Sequence, residues 1–415
     1  MTSKSRGGDY DCLVVGAGHA GLLLARLLAD QGLRVALLDK RSGPIGKSES
    51  ARPVGWGLSV NLSSVVALRT AGLWDYVADV AQPLDSMRVT DPTSKRDVLY
   101  QASEAGVEAL SWGILGQDLA SGLERAVADQ SSIDIVWGEE IASQDLGDGS
   151  QSITCQSGLT ISCRLLVAAD GRRSLLRRKA RLDGPQLDFK QVALTFGVTT
   201  DESHHGQGFE ILLLGGPLAF LPLKEGGADR PSASITWVFA KDRAAKWQSA
   251  TPEAFAEELG RRMPDHLGNV RPATPLAAFP LTFSHAKRLV GERLALVSDA
   301  AHGMHPIHAQ GFNLAVRDVA RLAELVVAAH RQDRDVGAPA LLRRYQASRL
   351  PDTLATSTFT SGFAWLGSST NPLARGTIGA GALLLQQLPA LRRTLTRQGL
   401  GEVPGRPRLL RGIPL

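Results

Sequence analysis

The sequence has 415 residues, of which 43% are hydrophobic and 21% charged, and its formal net charge is +5 at pH 7. This composition is typical of a globular protein large enough for two packed units, and it argues against a disordered chain or a nucleic-acid-binding protein. The charge is uneven, because residues 371–415 contain seven arginines, no lysine and one acid, so this segment accounts for the whole surplus.

The three cysteines, Cys12, Cys155 and Cys163, are sparse and form no C-x-x-C pair. A disulfide framework or a zinc site is therefore not expected, and a reducing compartment such as the cytoplasm fits. The opening residues, MTSKSRGGDYD, lack the apolar stretch of a signal peptide. No run approaches 18 apolar residues, so no membrane-spanning helix is expected.

The amino-terminal segment predicts a β-α-β unit. The apolar run DYDCLVV is typical of a buried strand, GAGHAG follows it, LLLARLLADQG has helical spacing, and LRVALLDK is typical of a second strand. Gly16, Gly18 and Gly21 fit G-x-G-x-x-G in the strand–turn–helix context that gives this motif its value. A dinucleotide site is therefore predicted, and the alternative is a plain glycine-rich turn.

Asp39 ends the second strand of this unit. A carboxylate at that place can accept hydrogen bonds from a ribose diol, and its charge disfavours a 2′-phosphate. These residues by themselves leave NAD and FAD open as the dinucleotide.

The middle of the chain mixes helices and strands. A helix is predicted from about Leu62 to Val80, including the GLWD step, and another over residues 117–129. Strands are predicted in IDIVWGEEI, SITCQSG and LTISCRLLVAAD, with a hairpin turn near Ser157 and Gly158.

The pattern changes after about residue 185. LDFKQVALTFGVTT, GFEILLLGGPLAFLPLK and SASITWVFA predict strands of a larger antiparallel sheet, and a helix follows near residues 252–263. RLALVSDAAH returns to the earlier α/β style, and from residue 311 the pattern is almost wholly helical.

Residues 298–318 read SDAAHGMHPIHAQGFNLAVRD. This stretch contains one acid and three histidines at its start: Asp299, His302, His305 and His308. Their spacing in a loop with proline and glycine does not place them on one helical face, so no metal site is expected. Pro306 and Gly311 bracket a predicted helix start, which indicates a backbone cradle for an anionic or electron-rich group. His302 is expected to be a structural hydrogen-bond partner.

Three motifs now stand in order: GAGHAG with Asp39, AADGRRS at residues 168–174, and SDAAHGMHPIHAQGFNL at residues 298–314. Together they resemble the FAD-dependent aromatic monooxygenases related to para-hydroxybenzoate hydroxylase. FEILLLGGPLAFLPLKEGG, YQASRLPD and the tail FAWLGSSTNPLARGTIGAG with GLGEVPGRPRLLRGIPL resemble the ubiquinone-biosynthesis hydroxylases within that group. The resemblance covers nearly the whole chain.

The resemblance implies an α/β fold in which an FAD-binding Rossmann-like domain is interleaved with a β-sheet substrate domain and followed by C-terminal helices. The expected bounds are 1–85, 103–185 and 285–365 for the FAD-binding domain, 86–102 and 186–284 for the substrate domain, and 366–415 for the helical tail. The residues that it implies for FAD are Gly16, Gly18, Gly21, Asp39, Arg52, Gln117, Asp170, Gly171 and Asp299.

The resemblance also implies a reaction. NAD(P)H reduces FAD and leaves, and O2 then gives a C4a-hydroperoxyflavin that hydroxylates an electron-rich aromatic ring. The amides of Gly311, Phe312 and Asn313 at a helix N-terminus would stabilise the reduced flavin, and Pro306 would press a rigid edge against its ring.

Two sets of side chains are candidates for the substrate. His305 or His308 is a candidate base for a substrate phenol, and His308 is favoured for substrate contact because His308 and Ala309 stand where the family usually has Ala-Gly. In the β-rich region, an apolar cavity lining and a simple sheet core are equally compatible with four residues: Phe209, Phe220, Pro222 and Trp237.

The function predicted from the resemblance is hydroxylation of a ubiquinone precursor. The alternatives are a monooxygenase of the same fold that acts on a secondary metabolite, such as a quinolone, indole or polyketide phenol, and a non-catalytic flavin-binding protein. No nucleic-acid partner is expected. The arginine-rich tail predicts either peripheral contact with an anionic membrane surface, such as the inner membrane, or ordinary packing on the FAD-binding domain.

Overall fold

The computed structural model describes residues 9–45, 55–226, 230–368 and 371–415. The strands are β1 (Asp9–Val15), β2 (Val35–Asp39), β3 (Gly57–Asn61), β4 (Gln82–Leu84), β5 (Ser86–Asp91), β6 (Arg96–Gln101), β7 (Ser111–Leu115), β8 (Ile133–Trp137), β9 (Ile141–Leu146), β10 (Gln151–Cys155), β11 (Thr160–Ala168), β12 (Gln186–Thr200), β13 (Gln207–Ile211), β14 (Leu218–Pro222), β15 (Ala233–Ala240), β16 (Val270–Pro272), β17 (Ala277–His285), β18 (Val290–Gly291), β19 (Leu294–Leu296) and β20 (His302–Gly303).

The helices follow the same chain order. They are α1 (His19–Ala29), α2 (Leu62–Thr70), α3 (Ala102–Ala105), α4 (Gly116–Ala128), α5 (Leu175–Lys179), α6 (Lys241–Gln248), α7 (Pro252–Gly260), α8 (Gln310–His330), α9 (Pro339–Ser368), α10 (Pro372–Gln387) and α11 (Pro389–Gly399).

An eight-stranded sheet forms the first layer, in the order β18-β19-β11-β1-β2-β8, with β10 added to β11 and β9 to β10. β1 pairs in parallel with both β2 and β11, which requires crossover connections such as α1. The apolar side chains of β1 and α1 are buried against each other, and Leu13, Leu22 and Leu28 are fully excluded from solvent. The glycine-rich turn between β1 and α1 therefore lies at the carboxyl edge of a parallel sheet, where ligands of such sheets bind.

A nine-stranded, mostly antiparallel sheet forms the second layer, in the order β20-β17-β12-β15-β14-β13-β5-β6, with β16 also on β12. One of its faces buries a separate apolar core with α6 and α7. β20 lies in the 298–318 stretch and pairs with β17, so this stretch joins the second sheet directly. These two layers confirm the predicted α/β fold class. The predicted domain bounds stay predictions.

One predicted helix is shorter than expected. α2 ends at Thr70 instead of continuing to Val80. Gly72 follows in the left-handed conformation, with φ of 66°, which terminates the helix. The rest of the predicted helix is two 3₁₀ turns, Trp74–Tyr76 and Ala78–Val80, whose spacing imitates helical periodicity in the sequence.

The carboxyl-terminal segment folds back on both layers. α10 packs against β6, and α11 against α3. Leu400, Leu409 and Leu410 after α11 are buried. Among the helices of the described residues, none has the length and apolar content needed to cross a membrane.

Candidate active site

The turn between β1 and α1 has the geometry of a phosphate cradle. Gly16 has a φ of 106°, and a Cβ there would collide with the backbone of Ala169. A Cβ on Gly21 would collide with the carbonyl oxygen of Gly16, so both positions require glycine for close packing. Gly18 has no neighbouring atom within 4 Å of its Cβ position. The open space at Gly18, at the N-terminus of α1, suits a pyrophosphate.

Asp39 fixes the shape of this turn. Its Oδ2 accepts a hydrogen bond from the Ala17 amide at 2.6 Å, and its Oδ1 accepts one from the Arg41 amide at 2.8 Å. The Arg41 guanidinium donates to the Ala17 carbonyl oxygen at 2.6 Å. The carboxylate predicted for a ribose therefore also holds the glycine-rich turn in place.

A buried histidine connects α1 to the neighbouring elements. The His19 ring is hydrogen-bonded through Nε2 to the Gly116 carbonyl oxygen at 2.8 Å, at the start of α4. Its ring lies 5.9 Å from the Phe312 ring on α8. Half-buried Gln117 is the second residue of α4 and thus starts its helix beside α1. His19 was not predicted as a site residue, although its place as the first residue of α1 was a signal.

The second motif lies against the glycine-rich turn. Asp170 Oδ2 caps α5 by accepting from the Leu175 amide at 2.8 Å. Its Oδ1 is buried with no hydrogen-bond partner among the described residues, and burial raises the pKa of this carboxyl group. Gly171 follows in the left-handed region with a φ of 79°. An unpartnered buried oxygen at this place suits a donor from a bound ligand.

The second and third motifs meet through an ion pair. Arg172 Nε donates to Asp299 Oδ2 at 3.2 Å, and both side chains are 40% exposed. A surface pair of this kind contributes little to stability. Because the Asp299 side chain is partly exposed, its carboxylate is accessible to a ligand. The structure therefore brings together two motifs that are more than 120 residues apart in the sequence.

The turn before α8 is tightly bent and open at its end. His308 and Ala309 both have a positive φ, of 62° and 48°, which is unfavourable for residues with a Cβ. Pro306, with a φ of −70°, precedes them. α8 begins at Gln310, and nothing lies within 4 Å of the Cβ position of Gly311. An anionic group can approach the free amides of this first turn.

The three residues predicted to supply amides differ in position. Gly311 and Phe312 are in the first turn of α8, whereas Asn313 is its fourth residue, where intrahelical bonding begins. The Asn313 side chain is buried, and its Oδ1 accepts from the Asn61 amide at 3.0 Å. Its Nδ2 donates to the Ser59 carbonyl oxygen at 2.9 Å. The observed contacts of Asn313 therefore tie α8 to β3.

A buried ionic network that the sequence did not predict supports this turn. Fully buried Asp318 on α8 accepts from the Ser298 amide at 3.1 Å and from Arg349 Nε at 2.8 Å. His302 Nε2 lies 2.6 Å from Asp318 Oδ2, so His302 is a structural hydrogen-bond partner, as predicted. The positive partners hold the pKa of the Asp318 carboxyl at about 2, against the opposing effect of burial. YQASRLPD contains Arg349, and that motif was the available signal.

His305 and His308 lie beside this turn with unpaired ring nitrogens. His305 is fully buried, and its Nδ1 accepts from the Ile307 amide at 3.2 Å, while its Nε2 has no partner in the described part of the chain. Burial, with the charges of His308 and Arg172, lowers the pKa of His305 to about 4. His308 Nδ1 is also buried and unpartnered among the described residues. His305 is therefore a neutral ring at pH 7.

The aromatic residues predicted as candidates for a substrate cavity lie on the face of the second sheet that packs against α6 and α7. Phe209, Phe220 and Trp237 belong to the apolar core between that sheet and α6–α7, and each is at most 3% exposed. This packing matches the alternative in which these residues fill the core of the sheet. Pro222 is buried in β14. Trp237 also borders a cavity of about 670 Å³ near α6, on the side of this core.

Three features of the site bear on whether it can hold FAD. Two helix N-termini present open space, at Gly18 and Gly311, and a buried oxygen of Asp170 lacks a partner in the described residues. The residues therefore fit the dinucleotide and the flavin ring. Arg52, predicted near the pyrophosphate, lies outside the described residues. Within the described ranges, no three His, Cys, Asp or Glu side chains are grouped as a metal site.

Comparison with known proteins agrees with this geometry. A family model described as an FAD binding domain matches residues 9–360. The ubiquinone hydroxylase UbiL of Rhodospirillum rubrum is 35% identical over 413 residues, which are 98% of this chain and 93% of the relative. The 3-demethoxyubiquinol 3-hydroxylase of Escherichia coli is 27% identical, with 94% and 97% of the two chains covered.

Solved structures share the fold. p-Nitrophenol 4-monooxygenase PnpA from Pseudomonas putida superposes with a TM-score of 0.77 at 18% identity, over 95% of this chain and 98% of the other. PqsL of Pseudomonas aeruginosa, in complex with 2-aminobenzoylacetate, superposes with a TM-score of 0.76 at 20% identity, over 91% and 100% of the chains. At these identities the likeness concerns the fold alone.

Proposed function

Because this chain belongs to the FAD-dependent monooxygenase family that includes the ubiquinone hydroxylases, we propose that it hydroxylates the aromatic ring of a ubiquinone precursor. The observation that carries the proposal is the 35% identity to UbiL along nearly the whole chain. FAD, reduced by NAD(P)H, supplies the activation of O2 when it is bound.

The proposed roles of the cofactor-binding residues follow from their positions. Gly16, Gly18 and Gly21 let the pyrophosphate approach the N-terminus of α1, and Asp39 binds the ribose. A second set holds the ribityl chain and the flavin ring: Gln117, Asp170, Gly171, Asp299, Pro306, Gly311 and Phe312. Asn313 acts through its side chain, which fixes the helix that carries the amides.

The amides at the start of α8 have an electrostatic role in this proposal. A reduced flavin ring would be anionic, and the amides of Gly311 and Phe312 with the helix dipole would stabilise its negative charge at this place. Pro306 has no amide hydrogen and a fixed φ, so it presents a rigid apolar edge there. His305 is neutral and buried, so it orders the turn without adding charge. His308 contacts the substrate ring.

The tail has a second proposed role, as a peripheral contact with an anionic membrane surface. Leu373, Leu384 and Leu388 are 82%, 49% and 47% exposed on or just after α10, and arginines of the tail lie on the neighbouring α11. An apolar surface next to basic residues favours anionic lipid. A lipid-tailed substrate would make such contact useful.

Two measurements test the hydroxylase proposal. The purified holoenzyme is expected to oxidise NAD(P)H faster when a prenylated phenol is added, with one oxygen atom from O2 appearing in the product by mass spectrometry. A strain without the gene is expected to accumulate the unhydroxylated quinone precursor. Intact ubiquinone in that strain, with hydroxylation of another phenol by the enzyme, would instead favour a secondary-metabolite hydroxylase. A protein that stays colourless with added FAD contradicts both.

A further inference from the structure

A buried carboxylate on the second sheet has no partner among the described residues and no part in the roles described above. Glu210 lies in β13 and is 5% exposed. Neither a hydrogen bond nor an ion pair joins its side chain to another described residue. A buried carboxylate without a partner is costly, because it loses its hydration without compensation. Such a group in a native fold calls for a ligand that supplies the missing donor.

The side chain of Glu210 lies on the sheet face opposite the aromatic core. Side chains alternate along a strand, so its neighbours Phe209 and Ile211, which belong to the core, occupy the other face. On the face of Glu210 its cross-strand neighbours are Val89 and Ala219. Phe209, Phe220 and Trp237, which were predicted as candidates for the substrate cavity, lie on the other face.

That face packs towards the turn before α8. Val89 and Leu212 belong to one apolar cluster with Ile307 and Phe363. The residue after Ile307 is His308, whose ring lies 4.7 Å from the Phe363 ring. The sheet face of Glu210 and the proposed flavin-facing turn are therefore two walls of one region.

Electrostatics agrees with this arrangement. Burial raises the pKa of Glu210, and the charge of His308 lowers it, so the two groups interact. Burial and the charge of Glu210 raise the pKa of Tyr100 on β6, and the charge of Arg392 on α11 lowers it. His308 Nδ1 and His305 Nε2 are buried and have no hydrogen-bond partner among the described residues, and both lie on the turn that this sheet face packs towards.

We propose that Glu210 accepts the hydrogen bond of a ring hydroxyl of the substrate and takes up its proton in the reacting complex. This rests on the proposed function. The O–H bond of the phenol breaks, its electron pair stays on the phenolate oxygen, and the proton binds a Glu210 carboxylate oxygen to give the neutral acid. The phenolate makes the ring more electron-rich, which favours attack on an electrophilic oxygen.

The same carboxylate restricts the substrate class. In its ionised form, Glu210 attracts a ring that carries a hydroxyl donor and repels a ring that carries a carboxylate at the same place. The substrate is therefore a neutral phenol or hydroquinol that lacks a carboxylate on the side facing β13.

Binding to the FAD-loaded enzyme tests this proposal through the change in the flavin absorption spectrum. The probes are 2-prenylphenol, its methyl ether 2-prenylanisole, and 4-hydroxy-3-prenylbenzoate. The wild type is expected to bind the phenol about tenfold or more tighter than the ether, as for a hydrogen bond to a charged group. Glu210→Gln is expected to lose most of that preference and to bind the benzoate more tightly.

Controls separate this role from folding and from the proposed function. Glu257→Gln, at an exposed site on α7, is expected to keep the wild-type preference, and flavin content reports folding of every variant. Glu210→Leu serves as the second variant and is expected to lose the preference as well. An unchanged preference in both Glu210 variants, or no preference in the wild type, overturns the inference. Expected binding without any hydroxylated product would overturn the proposed function alone.

Discussion

At the scale of single residues, the position of the turn that carries Asp299 depends on Asp318, a buried carboxylate that was not predicted as a site residue. Asp318 joins the Ser298 turn, His302 and Arg349 in one buried network. Removing one charge from such a network leaves the other charges buried without compensation, which costs more than the pair contributes. The turn that carries Asp299 therefore depends on α8 for its position.

Asp318→Asn is expected to lower the free energy of unfolding by about 3–5 kcal/mol, because Arg349 stays buried without its carboxylate. Urea denaturation followed by circular dichroism measures the change. FAD content is expected to fall as well, since the Ser298 turn loses its anchor. Exposed Glu257→Gln is the control and should change stability by less than about 0.5 kcal/mol. A loss no larger than that of the control would contradict the network's role.

His305 makes stability depend on pH. Its folded-state pKa of about 4 lies below the ordinary value of 6.5, so the unfolded chain binds the proton more readily, and stability falls as the pH drops from about 6.5 towards 4. Between pH 7 and pH 5 this contributes about 2 kcal/mol. His305→Gln is expected to remove that part of the slope in urea titrations across this range. The exposed His205→Gln should keep the slope, and an identical slope in both variants would argue against it.

At the scale of elements, the glycines of the G-x-G-x-x-G turn serve two different purposes: one is required for packing of the fold and another for binding of the ligand. Gly21 is needed for packing, because its Cβ would meet the Gly16 carbonyl, whereas Gly18 faces open space. The motif pattern alone gives both glycines equal weight. Only their surroundings distinguish a requirement of the fold from a requirement of the ligand.

Gly18→Ala and Gly21→Ala are therefore expected to differ. Gly18→Ala should leave the melting temperature of the apoprotein unchanged and weaken FAD binding about tenfold or more, because the methyl group occupies the space for the pyrophosphate. Gly21→Ala should also destabilise the apoprotein by about 1–3 kcal/mol through overpacking. Thermal melting and FAD titration measure the two effects, with Gly260→Ala on α7 as the control. Equal melting temperatures for both variants would contradict this assignment.

At the scale of the whole molecule, the tail is part of the fold and also presents an apolar surface. Arg392 forms a two-bond ion pair with Glu104, and Gln386 Nε2 donates to the Asp97 carbonyl oxygen at 2.7 Å. Leu409 and Leu410 are buried in the main core. Packing on the rest of the chain is thus observed, and membrane contact stays a proposal that concerns only the outward leucines.

The membrane proposal is tested best with surface substitutions, because truncation would remove Leu409 and Leu410 from the core. The triple variant Leu373→Ser, Leu384→Ser, Leu388→Ser is expected to reduce co-sedimentation with vesicles of phosphatidylglycerol and phosphatidylethanolamine at least about tenfold, since each loses roughly 1 kcal/mol or more of apolar burial. Leu146→Ser and Leu187→Ser, at exposed positions of β9 and β12, are the control. Equal sedimentation of the triple variant and the wild type would refute the contact.

The amino-acid sequence by itself determined the α/β fold class, the glycine-rich turn with Asp39, and a helix start near Gly311, because these depend on local periodicity and backbone conformation. It extended α2 past Thr70, since two 3₁₀ turns imitate helical spacing. It also could not decide which face of β13 meets the site, because alternation defines two faces without saying which is covered. Only the tertiary structure placed the aromatic residues in a core and packed the sheet face of Glu210 towards the turn that carries His308, since burial arises from contacts between distant segments.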